Sequence, residues 1–154
     1  VWQSGWEGNP DPQDNKTKLG VQITPLKEIL NDYKTNGHVY VRRLMHNNNN
    51  NNNNNNTSAI FTKNKLEEIH NVVYGKPYDL VLTDWVKALI QKNNSPQNID
   101  RFWCSALVGY IYTKCGILDK DTDWTIIRPC DFALSSEHLT FTNNYLENIE
   151  TKIQ

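Results

Sequence analysis

The chain has 154 residues, with 17 acidic and 16 basic side chains and a net charge of −1. It is long enough for one domain with a buried core, and it lacks the basic surface expected of a nucleic-acid-binding protein. No stretch approaches the ~18 apolar residues that a membrane span needs, and no secretory signal is visible. We therefore expect a single domain over residues 1–154, with no transmembrane segment and no nucleic-acid partner.

Cysteine and histidine usage limits the compartment and the cofactors. Three cysteines form an odd number, which argues against a disulfide framework and favours a reducing, cytoplasmic environment. These cysteines and the four scattered histidines show no metal-ligand spacing, so we expect no metal and no other cofactor.

Short strands and one helix are predicted in the first third of the chain. The strands are expected at residues 1–4, 19–23 and 38–44. The segment 5–18 is rich in Gly, Pro, Asn and Asp, which is typical of a loop. Thr24 should cap a helix that has Pro25 at its first position, and Gly37 should end that helix.

Ten consecutive asparagines occupy residues 47–56. Such a low-complexity tract has no apolar face and cannot offset the entropy of becoming ordered, so we predict a disordered surface insertion. A regulated aggregation segment is the alternative. Deleting the tract should change stability little, because loop-closure entropy varies slowly with length.

Helices dominate the rest of the chain. They are predicted at 62–74, from Thr83 through Ile90, and at 104–115. Thr62 caps the first of them, and Gly75 and Gly116 end the first and the last. A strand is expected at 124–127 and a further strand or short helix at 138–145. The mixture predicts an α+β fold, with helices packed against a small antiparallel sheet.

Cys104 is the first candidate for chemistry. It falls in the first turn of the predicted 104–115 helix, where the helix dipole and unpaired N–H groups favour a thiolate. The thiolate is the nucleophile in cysteine catalysis, so the position suits that chemistry. The alternative is a small buried apolar residue, which is a common role for a free cysteine.

Five segments, taken in order, resemble the circularly permuted branch of the NlpC-type papain-like cysteine hydrolases. They are residues 20–26, 39–44, 75–80, 102–108 and 128–132. In that branch the helix carrying the cysteine comes late, with a Cys-Ser-x-Leu-Val signature that is similar to Cys-Ser-Ala-Leu-Val here. A Gly-x-Pro-Tyr-Asp segment precedes that helix and a Pro-x-Asp-Phe segment follows it. The resemblance implies a permuted papain-like fold.

The resemblance also implies a set of site residues. Cys104 matches the nucleophile, and Gln3 holds the place of the polar residue that orients the catalytic imidazole. The family histidine is expected upstream of Val1, which implies an N-terminally truncated chain that is inactive alone. The competing candidate for the base is His38, which begins a predicted strand after a helix-ending glycine.

The function that follows is a thiol hydrolase of the cysteine peptidase or amidase type. It would act on amide, isopeptide or ester bonds through a cysteine acyl-enzyme, with a peptide, lipid or conjugate as acyl substrate. One alternative is a catalytically inactive papain-like binding or scaffolding module. Another is a structural domain whose cysteine is simply buried. The sequence leaves the oligomeric state open.

Overall fold

The computed structural model describes residues 1–6, 8–34, 37–47, 60–90, 92 and 96–153. The helices of these ranges are Leu26–Tyr33 (α1), Lys63–Val73 (α2), Leu82–Ile90 (α3) and Cys104–Lys114 (α4). The strands are Trp2–Gly5 (β1), Gly20–Ile23 (β2), Tyr40–Val41 (β3), Leu44–His46 (β4), Asn144–Leu146 (β5) and Thr151–Lys152 (β6). The predicted α+β class is confirmed. None of the helices in these ranges is both long and apolar enough to cross a bilayer.

The strands form three separate antiparallel ladders of two strands each, β1–β2, β3–β6 and β4–β5. The first ladder continues sideways, because Gly20 bridges to Pro77 and Tyr78 bridges in parallel to Phe102. A Cβ atom at Gly20 would overlap the carbonyl oxygen of Lys76, and φ at this glycine is +150°. Glycine is therefore required for this close approach. The approach brings Tyr78 towards the start of α4.

Helix α4 lies in the middle of the core. Its residue Tyr110 packs with Phe102 and Trp124 in a cluster of three aromatic rings, with centroids 5.2–5.4 Å apart. Leu107 of the helix and Val21 of β2 are fully buried beside them. Because core residues surround α4 on several sides, its first residue has a fixed position relative to β2.

Helix α2 confirms the sequence prediction closely. Thr62 Oγ1 accepts a hydrogen bond from the backbone N–H of Lys65, as a capping threonine does. The helix ends at Val73, two residues before Gly75, whose φ is +70°. These signals lie within a few residues of the element that they define.

The prediction that Thr24 caps α1 is wrong. The helix begins at Leu26 after Pro25, and no side chain caps it. Thr24 is buried, and its hydroxyl accepts a hydrogen bond of 2.7 Å from Gln3 Nε2. A contact with a residue distant in sequence thus replaces the local capping bond.

The strand predicted at 38–44 is divided into β3 and β4. Arg42 lies at the break, and its guanidinium donates to the backbone carbonyls of Phe132 and Glu147 at 2.6 and 3.0 Å. The two short strands consequently pair with different partners, β6 and β5. Most of the predicted 138–145 element is irregular, because β5 begins only at Asn144.

The strand predicted at 124–127 is wrong, because residues Trp124–Ile126 form a 3-10 turn. The carboxylate of Asp123 accepts from the N–H of Thr125 at 3.1 Å and so begins the turn. Trp124 is buried in the aromatic core. Residues 48–56 of the asparagine tract lie outside the described ranges, so the insertion stays a prediction.

Candidate active site around Cys104

Cys104 is the first helical residue of α4, and its side chain is exposed. The alternative of a buried apolar cysteine is therefore wrong. Trp103 is the N-cap residue and makes no side-chain capping bond. The backbone N–H groups of the first turn of α4 thus have no side-chain cap to occupy them.

The start of α4 fixes the segment that follows the 3-10 turn. Trp103 Nε1 and Ser105 Oγ both donate to the carbonyl oxygen of Ile127, at 3.1 and 2.7 Å. A Cβ atom at Gly109 would lie 2.5 Å from the Cδ1 atom of Ile127. The absence of a side chain at Gly109 therefore allows this segment to lie against the helix. One wall of a pocket beside Cys104 is formed in this way.

A second wall is formed by Tyr78. The N–H of Phe102 donates to Pro77 O at 3.1 Å, and the N–H of Asp79 donates to Phe102 O at 3.2 Å. These two bonds hold Tyr78 next to the start of α4. Burial, and then the proximity of Cys104 and Asp79, raise the pKa of Tyr78 above its ordinary value. At neutral pH the Tyr78 hydroxyl is therefore uncharged and able to donate a hydrogen bond.

Helix α3 supplies the third wall. Trp85 Nε1 donates to the carbonyl oxygen of Asp79 at 2.9 Å. Arg101 joins Asp79 and Asp84, with nitrogen–oxygen distances of 3.3 and 3.2 Å. These contacts attach the exposed helix α3 to the segment that carries Tyr78.

The three walls enclose an open pocket of about 310 Å³. It is lined by Tyr78, Trp85, Ala88, Leu89, Trp103, Cys104, Ser105, Ile127, Arg128 and Pro129. Most of this lining is apolar, which is typical of sites that bind small organic ligands. The nucleophile candidate thus lies in a concave, mainly apolar site.

The structure does not bring Gln3 into this pocket. Ser4, the next residue of β1, donates its hydroxyl to Phe102 O at 2.6 Å and so faces the core. Successive side chains of a strand point to opposite faces, and Gln3 Nε2 instead donates to Thr24. Gln3 therefore lies on the opposite face of β1 from Ser4 and is not among the residues that line the pocket. An orienting role for Gln3 stays a prediction.

The structure does not bring His38 to Cys104 either. His38 is exposed, and its ring packs edge-on against Tyr40, with centroids 6.4 Å apart. His46 hydrogen-bonds Asn144, and His70 stacks on the ring of Trp2. None of the histidines lines the pocket of Cys104 as far as the described residues define it.

The pocket lining includes residues that the sequence analysis did not single out, among them Tyr78 and Arg128. Tyr78 and Arg128 both belong to segments used for the resemblance, 75–80 and 128–132. Their positions within those segments could have drawn attention to them. Their proximity to Cys104 depends on the long-range bonds described above, which the sequence does not reveal.

Comparisons with known proteins add no relative. No protein-family model matches the chain, and neither a curated protein nor a solved structure matches it. No group of three or more His, Cys, Asp or Glu side chains within the described ranges is arranged to hold a metal ion. The functional argument therefore depends on the residues and geometry of the pocket.

Proposed function

We propose that the chain is a thiol hydrolase or acyl-transferring domain of the permuted NlpC-type papain-like class, with Cys104 as its nucleophile. One observation carries the proposal, namely an exposed thiol at the first residue of α4 inside a mainly apolar pocket. A reactive cysteine needs access to substrate, which the exposure of Cys104 gives, and a positive local field, which the start of a helix supplies.

The proposed reaction is acyl transfer through a thioester. The Cys104 thiolate attacks the carbonyl carbon of an ester or amide, and a C–S bond forms. The tetrahedral intermediate then expels the alcohol or amine, which takes up a proton as its bond to carbon breaks. Water, or another acceptor, attacks the thioester and releases the acyl group together with the free thiol.

Two kinds of donor are available for the oxyanion of that intermediate. The N–H groups of the first turn of α4 have no side-chain cap at Trp103. The Tyr78 hydroxyl lies on the adjacent wall and stays protonated at neutral pH. Donors placed where negative charge develops usually make the largest single contribution to this chemistry.

The general base is not among the pocket residues of the described ranges. The proposed reaction therefore needs an imidazole that the pocket lining in the described ranges does not supply. It follows that the 154-residue chain should acylate slowly and turn over only when an imidazole is supplied.

The test is hydrolysis of a generic aryl ester, with and without added imidazole, after subtraction of the buffer reaction. We expect Cys104-dependent turnover only with imidazole, and a thioester on Cys104 detectable by intact-mass spectrometry. Cys104→Ala should abolish both signals. Cys115→Ala is the matched control, because Cys115 follows the last turn of α4 and is half-buried. Equal turnover by the native chain and Cys104→Ala would contradict the proposal.

A catalytically inactive binding module with the same pocket is the second candidate. The observation in its favour is that no imidazole lines the pocket in the part of the chain that the structure describes. This candidate predicts that ligands protect Cys104 from alkylation, yet no thioester forms at any imidazole concentration.

A further inference from the structure

The polar side chains that line the pocket of Cys104 are mostly paired within the protein. Three side-chain donors of the lining bind backbone carbonyls, namely those of Trp85, Trp103 and Ser105. The guanidinium of Arg128 is paired with the carboxylate of Asp131, which is not a lining residue of this pocket. The surface that remains for a ligand beside the thiol is therefore almost entirely apolar.

This apolar lining distinguishes between the acyl groups that a thiol hydrolase can carry. In the acyl-enzyme the acyl group is bonded to Cys104 Sγ, so its first atoms lie inside the pocket. A peptidyl group brings an N–H and a C=O with nearly every residue, and burying either without a partner is unfavourable. An aliphatic chain brings neither, and its burial is favourable in proportion to its apolar area. The lining thus favours aliphatic over peptidyl acyl groups.

Helix α3 extends the apolar surface beyond the pocket. Its large apolar side chains are 47–74% exposed, and they are Leu82, Trp85, Val86, Leu89 and Ile90. Their spacing of three and four residues places these five side chains, the α3 stripe, on one side of the helix, and Ala88 is its buried residue. A surface helix usually turns its apolar stripe towards the core. The α3 stripe instead faces solvent.

The pocket and the α3 stripe are continuous. Trp85 and Leu89 belong to both. Leu82 and Val86 lie three residues before them and are therefore their neighbours on the helix surface. The helix rises about 10 Å from Leu82 to Leu89. An alkyl chain attached at Cys104 can therefore leave the pocket and remain in contact with apolar side chains.

From this arrangement we propose that the site takes aliphatic acyl groups, with the thioester carbonyl at Cys104 and the alkyl chain against Trp85 and Leu89 and along the α3 stripe. The proposal rests on the proposed function, because it names the class of acyl group that the same thiol carries. The substrate is then a fatty acyl ester or amide, whose chain is removed from water by the pocket and the stripe. A peptidyl chain and a second copy of this protein are the alternative occupants of the same surface.

Alkylation of Cys104 tests the preference for an alkyl chain without requiring turnover. The reagents are 2-bromopropanamide and 2-bromooctanamide, which share the same reacting carbon and differ only in the length of the chain. In each case the thiolate displaces bromide, a C–S bond replaces the C–Br bond, and the thiol proton passes to the buffer. Rates at Cys104, measured by peptide mass spectrometry, are divided by the rates with N-acetylcysteine to remove intrinsic reactivity.

For the native chain we expect the longer reagent to react at least about tenfold faster after this correction, which corresponds to the burial of about two methylenes. Leu89→Gln keeps an unbranched side chain of good helix propensity but removes the apolar contact, so the preference should fall at least about threefold. Leu26→Gln is the matched control, because Leu26 is also an exposed leucine on a helix but does not line the pocket. It should keep the native preference. Thermal unfolding verifies that both variants are folded.

Reversible protection separates an aliphatic occupant from a peptide. Octanamide and acetyl-dialanine amide are both uncharged, and each is tested for protection of Cys104 from 2-bromopropanamide. We expect octanamide to slow the alkylation at concentrations at which the peptide has no effect, and equal protection by the peptide overturns the proposal. Sedimentation equilibrium examines the remaining occupant. A dimer that dissociates in Leu82→Gln would assign the α3 stripe to a second copy and overturn its assignment to the alkyl chain.

Equal corrected rates for the two reagents in the native chain overturn the proposal, and so does a preference that Leu89→Gln leaves as unchanged as Leu26→Gln does. Failure of the proposed function is a different result, namely absence of thioester and turnover while the chain preference is normal. Thioester formation from short-chain and long-chain esters at equal rates would keep the proposed function and reject the acyl class.

Discussion

The loop before β2 and the pocket at Cys104 differ in whether their polar groups are paired within the protein. The loop before β2 buries Asp11 completely, and its carboxylate accepts bonds from the N–H groups of Gln13 and Ile23 and from Lys18 Nζ. The pocket at Cys104 instead leaves an exposed thiol within a mainly apolar lining. Paired buried groups fix a structure, whereas available groups in a concave site can bind a ligand.

Lys18 is the centre of the first region. Its ammonium lies 2.9 Å from carboxylate oxygens of both Asp11 and Asp14, and 2.8 Å from the Tyr74 hydroxyl. The ammonium also lies 4.0 Å from the centroid of the Tyr74 ring. This network joins the loop to α2 and to β2, so we assign it to stability and the pocket to function.

The largest expected effect comes from breaking the buried network. Asp11→Ala removes the acceptor of three hydrogen bonds and should lower the free energy of unfolding by about 3–5 kcal/mol. Asp14→Ala is the matched control, since Asp14 also pairs with Lys18 but is more exposed, and it should cost less than about 1 kcal/mol. Urea denaturation measures both. Equal losses would show that the burial of Asp11 does not matter.

An intermediate effect is expected where the pocket wall meets α4. Gly109→Ala places a methyl group against Ile127 and should lower the free energy of unfolding by about 1–3 kcal/mol. Because Ile127 O binds Trp103 and Ser105, the same change should alter the alkylation rate of Cys104. Gly37→Ala, where the new methyl would make only an ordinary contact, is the control for both measurements. An unchanged stability and alkylation rate in Gly109→Ala would contradict this account of the wall.

The smallest of the three effects is a dependence of the free energy of unfolding on pH in the acid range. Burial works to raise the pKa of Asp11, but hydrogen bonds from Gln13, Lys18 and Ile23 outweigh it and hold the pKa below the ordinary 3.8. A depressed pKa gives stability that is present above the ordinary value and is lost as the pH falls through the folded value. We expect stability to decline below about pH 4, and less steeply in Asp11→Asn.

The measurement is the free energy of unfolding by urea at a series of pH values between neutrality and strong acid. The difference between native chain and Asp11→Asn should narrow as the pH falls, since the protonated carboxyl resembles the amide. A difference that stays constant over the whole series would show that the Asp11 charge makes no contribution to stability.

Elements whose signals are adjacent in sequence were predicted correctly. Helix α2 needed only Thr62 as its cap and Gly75 beyond its end, and both signals act within one or two turns. The placement of Cys104 in the first turn of α4 followed in the same way. Local backbone geometry and capping bonds depend on neighbouring residues, which is why the sequence reveals them.

Elements whose conformation depends on contacts with residues distant in sequence were not predictable. Thr24 makes a hydrogen bond with Gln3 and not the expected capping bond. Trp124 is buried in the aromatic core and belongs to a 3-10 turn, where a strand was expected. The strand expected at 38–44 was divided because Arg42 donates to carbonyls about a hundred residues away. In each case a tertiary contact outweighed a weak local preference.

The sequence by itself determined the α+β class, the helix that carries Cys104 and the position of that cysteine at the helix start. Only the tertiary structure decided what surrounds the thiol. The bridge between Tyr78 and Phe102 places Tyr78 in the pocket lining. The bonds of Trp103 and Ser105 to the carbonyl of Ile127 position the segment that contains Arg128. Gln3 points to the other face of β1, where it donates to Thr24. The physical reason is that capping and periodicity act over a few residues, whereas a pocket is assembled by hydrogen bonds and packing between segments far apart in the chain.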